Sequence, residues 1–339
     1  MRRFSASGLI WALAIILPVV SLLSMTLGTV SISLGELLGA ASHQVGSNQV
    51  DTILFDIRLP RILLAIFVGA VLSSTGAVMQ GLFRNPLADP SLIGVSSGAS
   101  VGASLMIVSA GGLIQTGALL GLSLVAVGAF VGGFVATLLV YRLATSGIGT
   151  SVTTMLLAGI AIAALAGALN SLLSYFSDND MLRQISLWQM GNLSGASWTK
   201  VTIMASVALL LMSLFPRDSR ALNALLLGES EARHLGVDVQ AVKRRLIILT
   251  ALGVGVCVAL AGLVGFVGLI IPHMVRLAIG PDHRWLIPAS ALAGATLLVV
   301  ADTLARIVVV PAELPTGILT ALLGAPFFVA LLLQQRKEI

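Results

Sequence analysis

Apolar residues run along this chain in long unbroken blocks rather than in alternation. Ten such blocks can be drawn, at 8–28, 60–82, 91–109, 117–141, 152–175, 199–215, 246–264, 266–279, 285–307 and 314–333. Most approach the ~20 residues that a helix needs to cross a ~30 Å hydrocarbon layer. A membrane β-barrel would instead alternate apolar and polar positions over ~10-residue strands. The pattern predicts an all-α polytopic membrane protein with ten transmembrane helices per subunit, the eighth short enough to be a partial or tilted span. Glycine recurs inside the blocks, as in VGAFVGGFVATLL, and small residues let membrane helices approach closely. No break in the pattern divides the chain, so 1–339 reads as one membrane domain.

Composition sharpens this reading. Hydrophobic residues make up 57% of the 339 residues and charged residues 10%, against ~25% charge in a soluble domain. Mean hydropathy is +1.05. The lone cysteine, Cys257, excludes an internal disulfide and a cysteine-ligated metal cluster. The first apolar block exceeds the ~7–15-residue core of a signal peptide and is expected to remain as a span.

Charge gives the orientation. With the N-terminus in the cytoplasm and sides alternating through ten spans, fourteen of the nineteen Lys and Arg fall inside. Arg58, Arg61, Arg183, Lys200 and Arg306 fall outside. This is the bias expected of cytoplasmic loops, and it places both termini inside. Ten of the 33 charged residues lie in one internal stretch, FPRDSRALNALLLGESEARHLGVDVQAVKRR. That stretch, a cytoplasmic loop at about 216–245, separates spans six and seven. Leu222, Leu225 and Leu226 repeat at helical spacing, and Gly228 and Gly236 punctuate the loop into two short helices with a turn. A leucine-faced helix of this kind can dock in a partner's groove, with charges setting the register; a solvated loop lying on the bilayer is the plainer alternative.

Energy has to come from elsewhere. The chain carries no G-x-x-x-x-G-K-[ST] phosphate loop, so it is not expected to be an ATP-hydrolysing enzyme. An ion-coupled carrier, the rival class, would place carboxylates inside the membrane. Here only Asp302 lies inside a block, one helical turn from Arg306, and the two are expected to pair. A non-transporting scaffold or receptor is the other rival. Nothing in the pattern points to nucleic acid.

Four stretches together carry a resemblance: RLPRILLAIFVGAVLSSTGAVMQGLFRNPLADPSLIGVSSGAS (58–100), NALLLGESEARHLGV (223–237), GLVGFVGLIIPHMVRLAIGPDHR (262–284) and ADTLARIVVVPAELPTGILTALLGAPFF (301–328). The chain resembles, over essentially its whole length, the FecCD-type permeases of bacterial ABC importers for iron-siderophores, haem and cobalamin. The resemblance implies a type II ABC importer transmembrane domain in the bacterial inner membrane, working as a homodimer with its pathway on the two-fold axis. It also implies two cytoplasmic ATPase subunits and a periplasmic substrate-binding protein. No cofactor is implied for this chain, since ATP and magnesium belong to the ATPase, and no metal site is expected.

The resemblance assigns roles residue by residue. Leu225, Gly228, Glu229, Arg233 and Gly236 match the coupling helices that the ATPase grips. Arg58, Arg61 and Arg306 match outer-face positions that receive glutamates of the binding protein, a task suited to the forked guanidinium; snorkelling and pairing with Asp56 or Asp302 is the plainer reading. Asn85 and Leu87, in RNPLADPSLIG, match the constriction closing the pathway on the cytoplasmic side. A second constriction lies near GTSVTTM, where Thr153 is the candidate among several hydroxyl residues.

For cargo, TSVTTMLLAGIAIAALAGA, LWQMGNLSGASW and NALLLGESEARHLGVDVQAVKRR read most like bacterial haem permeases, with ferric siderophore and cobalamin as alternatives. Of the histidines, His273 is expected to be structural and His234 lies in the coupling loop. His43, in the outer loop before span two, is a candidate for a passing contact with haem.

Overall fold

The computed structural model describes residues 5–41, 48–110, 119–147 and 149–335. Each of the ten apolar blocks is helical: α1 (Ala6–Thr26), α4 (Leu59–Leu82), α5 (Val95–Ser109), α6 (Leu119–Ala144), α7 (Val152–Tyr175), α9 (Trp198–Leu214), α12 (Val239–Ala261), α13 (Val267–Ile279), α14 (His283–Ile307) and α15 (Thr316–Gln335). Among the described residues, seven helices are long and apolar enough to cross a membrane. α5 and α13, at 15 and 13 residues, are shorter, while α15 runs for 20 residues. The eighth block, read as short, is α13, the shortest of the ten.

The connections hold further helices. These are α2 (Leu34–Ala41), α3 (Asn48–Asp51), α8 (Asn179–Gln189), α10 (Ser219–Leu227) and α11 (Glu229–His234). A π-helical turn, Thr52–Arg58, leads into α4. One feature departs from the all-α expectation. Strands β1 (Thr145–Ser146) and β2 (Gly149–Thr150) form a small antiparallel hairpin between α6 and α7. Gly149 at φ 131° supplies a backbone conformation that other residues rarely adopt, and Ser151 then starts α7 by accepting the Thr154 N–H at 3.3 Å.

The axis of the fold is α4. Every residue from Val71 to Leu82 is buried, as expected of a helix apolar on all sides. It packs against α14, α13, α9 and α12, while α5, α6 and α7 form a second group. Two glycine contacts make the axis possible. A Cβ on Gly69 would lie 2.4 Å from the Gly294 carbonyl oxygen of α14, and one on Gly76 would lie 1.8 Å from the Gly268 carbonyl oxygen of α13. At these points backbone touches backbone, which side chains would prevent.

Two irregular segments interrupt the helices, 83–94 and 262–266. Pro86 and Pro90 break the first, and Asp89 opens the 3₁₀ turn Pro90–Ile93 by accepting the Ser91 N–H at 2.8 Å. Phe266, at φ 67°, caps α13 in a left-handed conformation that is rare for a bulky residue. Non-helical backbone at membrane depth survives only against protein or a water-filled cavity. Here a cavity of 330 Å³ lies between the two segments, lined by Asp89, Ser91, Ser96 and Phe266 among others.

Candidate functional site

The arginines expected at the outer face are brought together, but turned inward. Arg58, Arg61 and Arg306 are each only 4% exposed. Arg61 Nε donates to both oxygens of Asp302, at 3.0 and 2.9 Å, and Nη1 donates to Glu313 Oε2 at 2.7 Å. Arg306 Nε lies 3.4 Å from Asp302 Oδ2, and its Nη2 donates to Ser24 Oγ at 2.6 Å. Thr316 Oγ1 completes the carboxylate at 3.0 Å. One anion thus joins α4, α14 and α15, and Arg306 extends the network to α1. Arg58 donates to the carbonyls of Met25, in the last turn of α1, and Val30, just beyond it. A buried cation needs compensation, and Asp302, the partner offered by the plainer reading, and backbone carbonyls supply it. Of the two carboxylates considered as partners, Asp302 pairs with Arg61 and Arg306. Glu313, 35% exposed along its side chain, is the accessible member.

The charged loop forms the predicted pair of short helices, α10 and α11, with Gly228 at φ 130° between them and Gly236 at φ 82° after them. Its leucine face needs correction. Leu222 and Leu225 are buried in the chain's own core and Leu226 is half-buried, because the bundle offers an apolar floor beneath α10. Leu225 therefore anchors α10 to the bundle. The exposed apolar side chains are Leu227 at 68% and Leu235 at 65%. Arg233 is exposed and sits 3.9 Å from Glu229, whose Oε1 accepts from Lys243 Nζ at 2.6 Å.

Polar ties hold α10 in place. Asn223 Nδ2 donates to Asp282 Oδ1 at 2.7 Å, and Asn223 Oδ1 accepts the His283 N–H at 2.9 Å. These two contacts fix the amide's orientation, so the His283 Nδ1 at 2.9 Å from Asn223 Oδ1 carries the proton. Arg245 pairs with Asp218 at the start of the loop.

The Asp282 tie gives a pH prediction. Burial alone would raise its carboxyl, but hydrogen bonds from Asn223 and the Arg284 N–H hold it below the usual aspartate range. A lowered folded pKa stabilises fully above the ordinary aspartate value of ~3.9 and loses that contribution as pH falls through the folded value. The protection of α10 amides, taken relative to their intrinsic exchange rate at each pH, is expected to fall on acidification into that window. Asp282→Ala should show low protection already at neutral pH and a smaller further loss in acid; an unchanged protection profile would contradict the tie.

The residues expected at the constriction take modest positions. Asn85 is exposed and its Oδ1 accepts the Leu87 N–H at 2.9 Å, a turn of its own making. Leu87 is half-buried. Thr153 is exposed in the first turn of α7. The two segments meet through backbone, with Gly159 of α7 against the Leu92 carbonyl. His273 and His283 are buried and His234 is exposed; His43 lies outside the described residues.

Three residues escaped the sequence reading: Lys243, Gln240 and Asn223. Lys243 left a signal. Val239, Val242, Leu246 and Ile247 mark the inward stripe of α12, and Lys243 falls on it, where an unpaired lysine is almost never found.

The sequence profile of the FecCD transport family matches residues 16–334. The chain belongs to the FecCD transport family. This family member is 46% identical over 326 residues to the hemin transport system permease protein HmuU of Yersinia pestis, covering 96% of this chain and 95% of that one. It is 41% identical over 325 residues to the vitamin B12 import system permease protein BtuC of Shigella boydii, covering 96% and 94%. Among solved structures, a metal-chelate type ABC transporter in an inward-facing conformation superposes with a TM-score of 0.85 at 35% identity, covering 97% and 99%. This FecCD chain is therefore a multi-pass membrane permease of the ABC importer type, and its relatives are transport proteins.

Proposed function

We propose that this chain is the membrane-spanning subunit of a type II ABC importer that moves haem into the bacterial cytoplasm. It acts as a homodimer in the inner membrane, with both termini and the α10–α11 segment on the cytoplasmic side. Two ATPase subunits grip that segment, and a periplasmic binding protein delivers the cargo. The observation that carries this reading is the α10–α11 segment itself. It is anchored by buried leucines, tied to α12 and α14 by polar bonds, and presents Leu227, Arg233 and Leu235 outward in a chain with no phosphate loop of its own. Haem is favoured as cargo by the likeness to the hemin permease. Cobalamin stands second because its permeases match almost as much of the chain, with ferric siderophore third.

The arginine network suits binding-protein docking only by exchange. Arg61 Nη1 would trade Glu313, its accessible partner, for a glutamate of the incoming lobe while Asp302 keeps Nε. Arg58 and Arg306 hold the floor of that site. At the other face, Asn85, Leu87 and Thr153 line the closure.

An ion-coupled carrier is disfavoured because Asp302 is already bound by two arginines. Reconstitution decides between these readings. Liposomes containing the permease and its ATPase are expected to take up haem from the haem-loaded binding protein only when ATP is supplied. Faster uptake of cobalamin or ferric siderophore would change the cargo. Uptake driven by a proton gradient with the ATPase omitted would overturn the class.

A further inference from the structure

Lys243 is a buried charge to which the transport reading assigns no task. It lies on α12 with 1% of its surface exposed. An ammonium buried this deeply persists only when paired and hydrogen-bonded, and Nζ has two partners on two different elements. It donates to Glu229 Oε1 of α11 at 2.6 Å and to the Thr150 carbonyl of β2 at 2.9 Å. One turn earlier on α12, Gln240 Oε1 accepts the Thr150 N–H at 3.0 Å. Its side chain lies flat on Gly149, where a Cβ would come 2.4 Å from Gln240 Nε2. Both backbone polar groups of Thr150 are thus held by α12. The next residue, Ser151, caps α7, and Thr153 stands in the first turn of that helix.

We propose that Lys243 is a positioning residue that couples the α10–α11 segment to the entrance of α7. A displacement of α11 passes from Glu229 through Lys243 to Thr150, and so reorients residues 149–155, Thr153 among them. The linkage is direct because a single ammonium bonds both ends. Removed from water, it cannot follow one partner away from the other without leaving a desolvated charge or carbonyl behind. The exposed Arg233–Glu229 pair, at 3.9 Å and open to solvent, cannot play this part. The inference rests on the reading of the chain as an ATP-driven permease, and adds to it a route from the segment the ATPase would grip to the closure.

The test uses the reconstituted permease–ATPase complex with a reporter thiol introduced by Thr153→Cys; the native Cys257 is buried and does not compete. The rate of labelling by a water-soluble maleimide is measured with and without ATP plus vanadate, alongside ATP hydrolysis. In Lys243→Met the nucleotide-dependent change in labelling is expected to fall by about tenfold, within the ordinary range of coupling between sites, while hydrolysis continues. Lys243→Arg should retain most of the change. Glu229→Gln and Gln240→Leu, which leave the ammonium in place, should each lose part of it, and they decide the question if Lys243→Met does not assemble. A structural role alone would depress labelling change and hydrolysis together and would not distinguish arginine from methionine. An undiminished labelling change in Lys243→Met, or in Glu229→Gln and Gln240→Leu together, overturns the proposal. Absence of any nucleotide-dependent change in the parent complex overturns instead the ATP-driven reading beneath it.

Discussion

Asp302→Ala is expected to destabilise the folded chain by about 3–5 kcal/mol, the loss typical when one member of a buried ion pair is removed. Asp302 is the shared anion for Arg61 and Arg306, and all three side chains are almost wholly buried. Without it, Arg61 keeps only Glu313, and Arg306 keeps only neutral partners on α1 and α14. The ends of α1, α4, α14 and α15 meet at this carboxylate, so the damage spreads across four helices. The measurement is the thermal midpoint and the yield of monodisperse protein in detergent. Asp302→Asn keeps the Thr316 bond and the shape of the site while removing the charge, so it should fall between the parent and Asp302→Ala. A midpoint unchanged in both variants would show that the network contributes nothing to holding these helices together.

Gly76→Leu is expected to be the second most damaging single change. A Cβ alone at this position would overlap the Gly268 carbonyl oxygen, and that oxygen belongs to backbone that cannot rotate aside. Overpacking of this kind costs about 1–3 kcal/mol, occasionally more, and a leucine at a backbone-to-backbone contact belongs at the upper end. The strain lands where α4 meets the start of α13, beside the irregular segment 262–266, so separation of those two helices should accompany the loss. Cross-linking between cysteines placed across α4 and α13 would report it. Gly147→Ala, where a Cβ meets nothing within 4 Å, serves as the control and should stay within about 0.5 kcal/mol of the parent. Equal midpoints for the two variants would remove the close approach of α4 and α13 as a determinant of the fold.

The helices were legible because the solvent is lipid. A segment that must satisfy its own backbone in hydrocarbon has few options besides a helix, so unbroken apolar blocks mark helices directly. What the blocks did not reveal was their depth. α5 and α13 have only 15 and 13 residues, fewer than the ~20 of a straight crossing, and the length of an apolar block does not say where its helix begins and ends. The hairpin at 145–150 was also missed, since two residues per strand leave no periodic signal.

The functional positions divided in an instructive way. Gly228 and Gly236 were readable as punctuation because a positive φ is a local property of the chain. The leucine stripe on α10 was readable as a stripe but not as an inward one, because amphipathic spacing is the same whether the apolar face meets a partner or the chain's own core. The three outer arginines were readable as a cluster, yet sequence could not say whether they met solvent or one another's partners.

By itself, then, the sequence determined the all-helical membrane class, the place of each apolar helix, the charged insert between α9 and α12, and membership in the transport family. The pairing of Asp302 with Arg306, one turn apart, was readable, but the tertiary structure alone decided the distant partners of buried cations: Arg61 with an aspartate 241 positions away and Lys243 with Thr150, 93 positions away. The physical reason is range. Helix formation and turn chemistry are settled among neighbours in the chain, whereas the cost of burying a charge is settled by whichever distant group the packing brings within hydrogen-bonding distance.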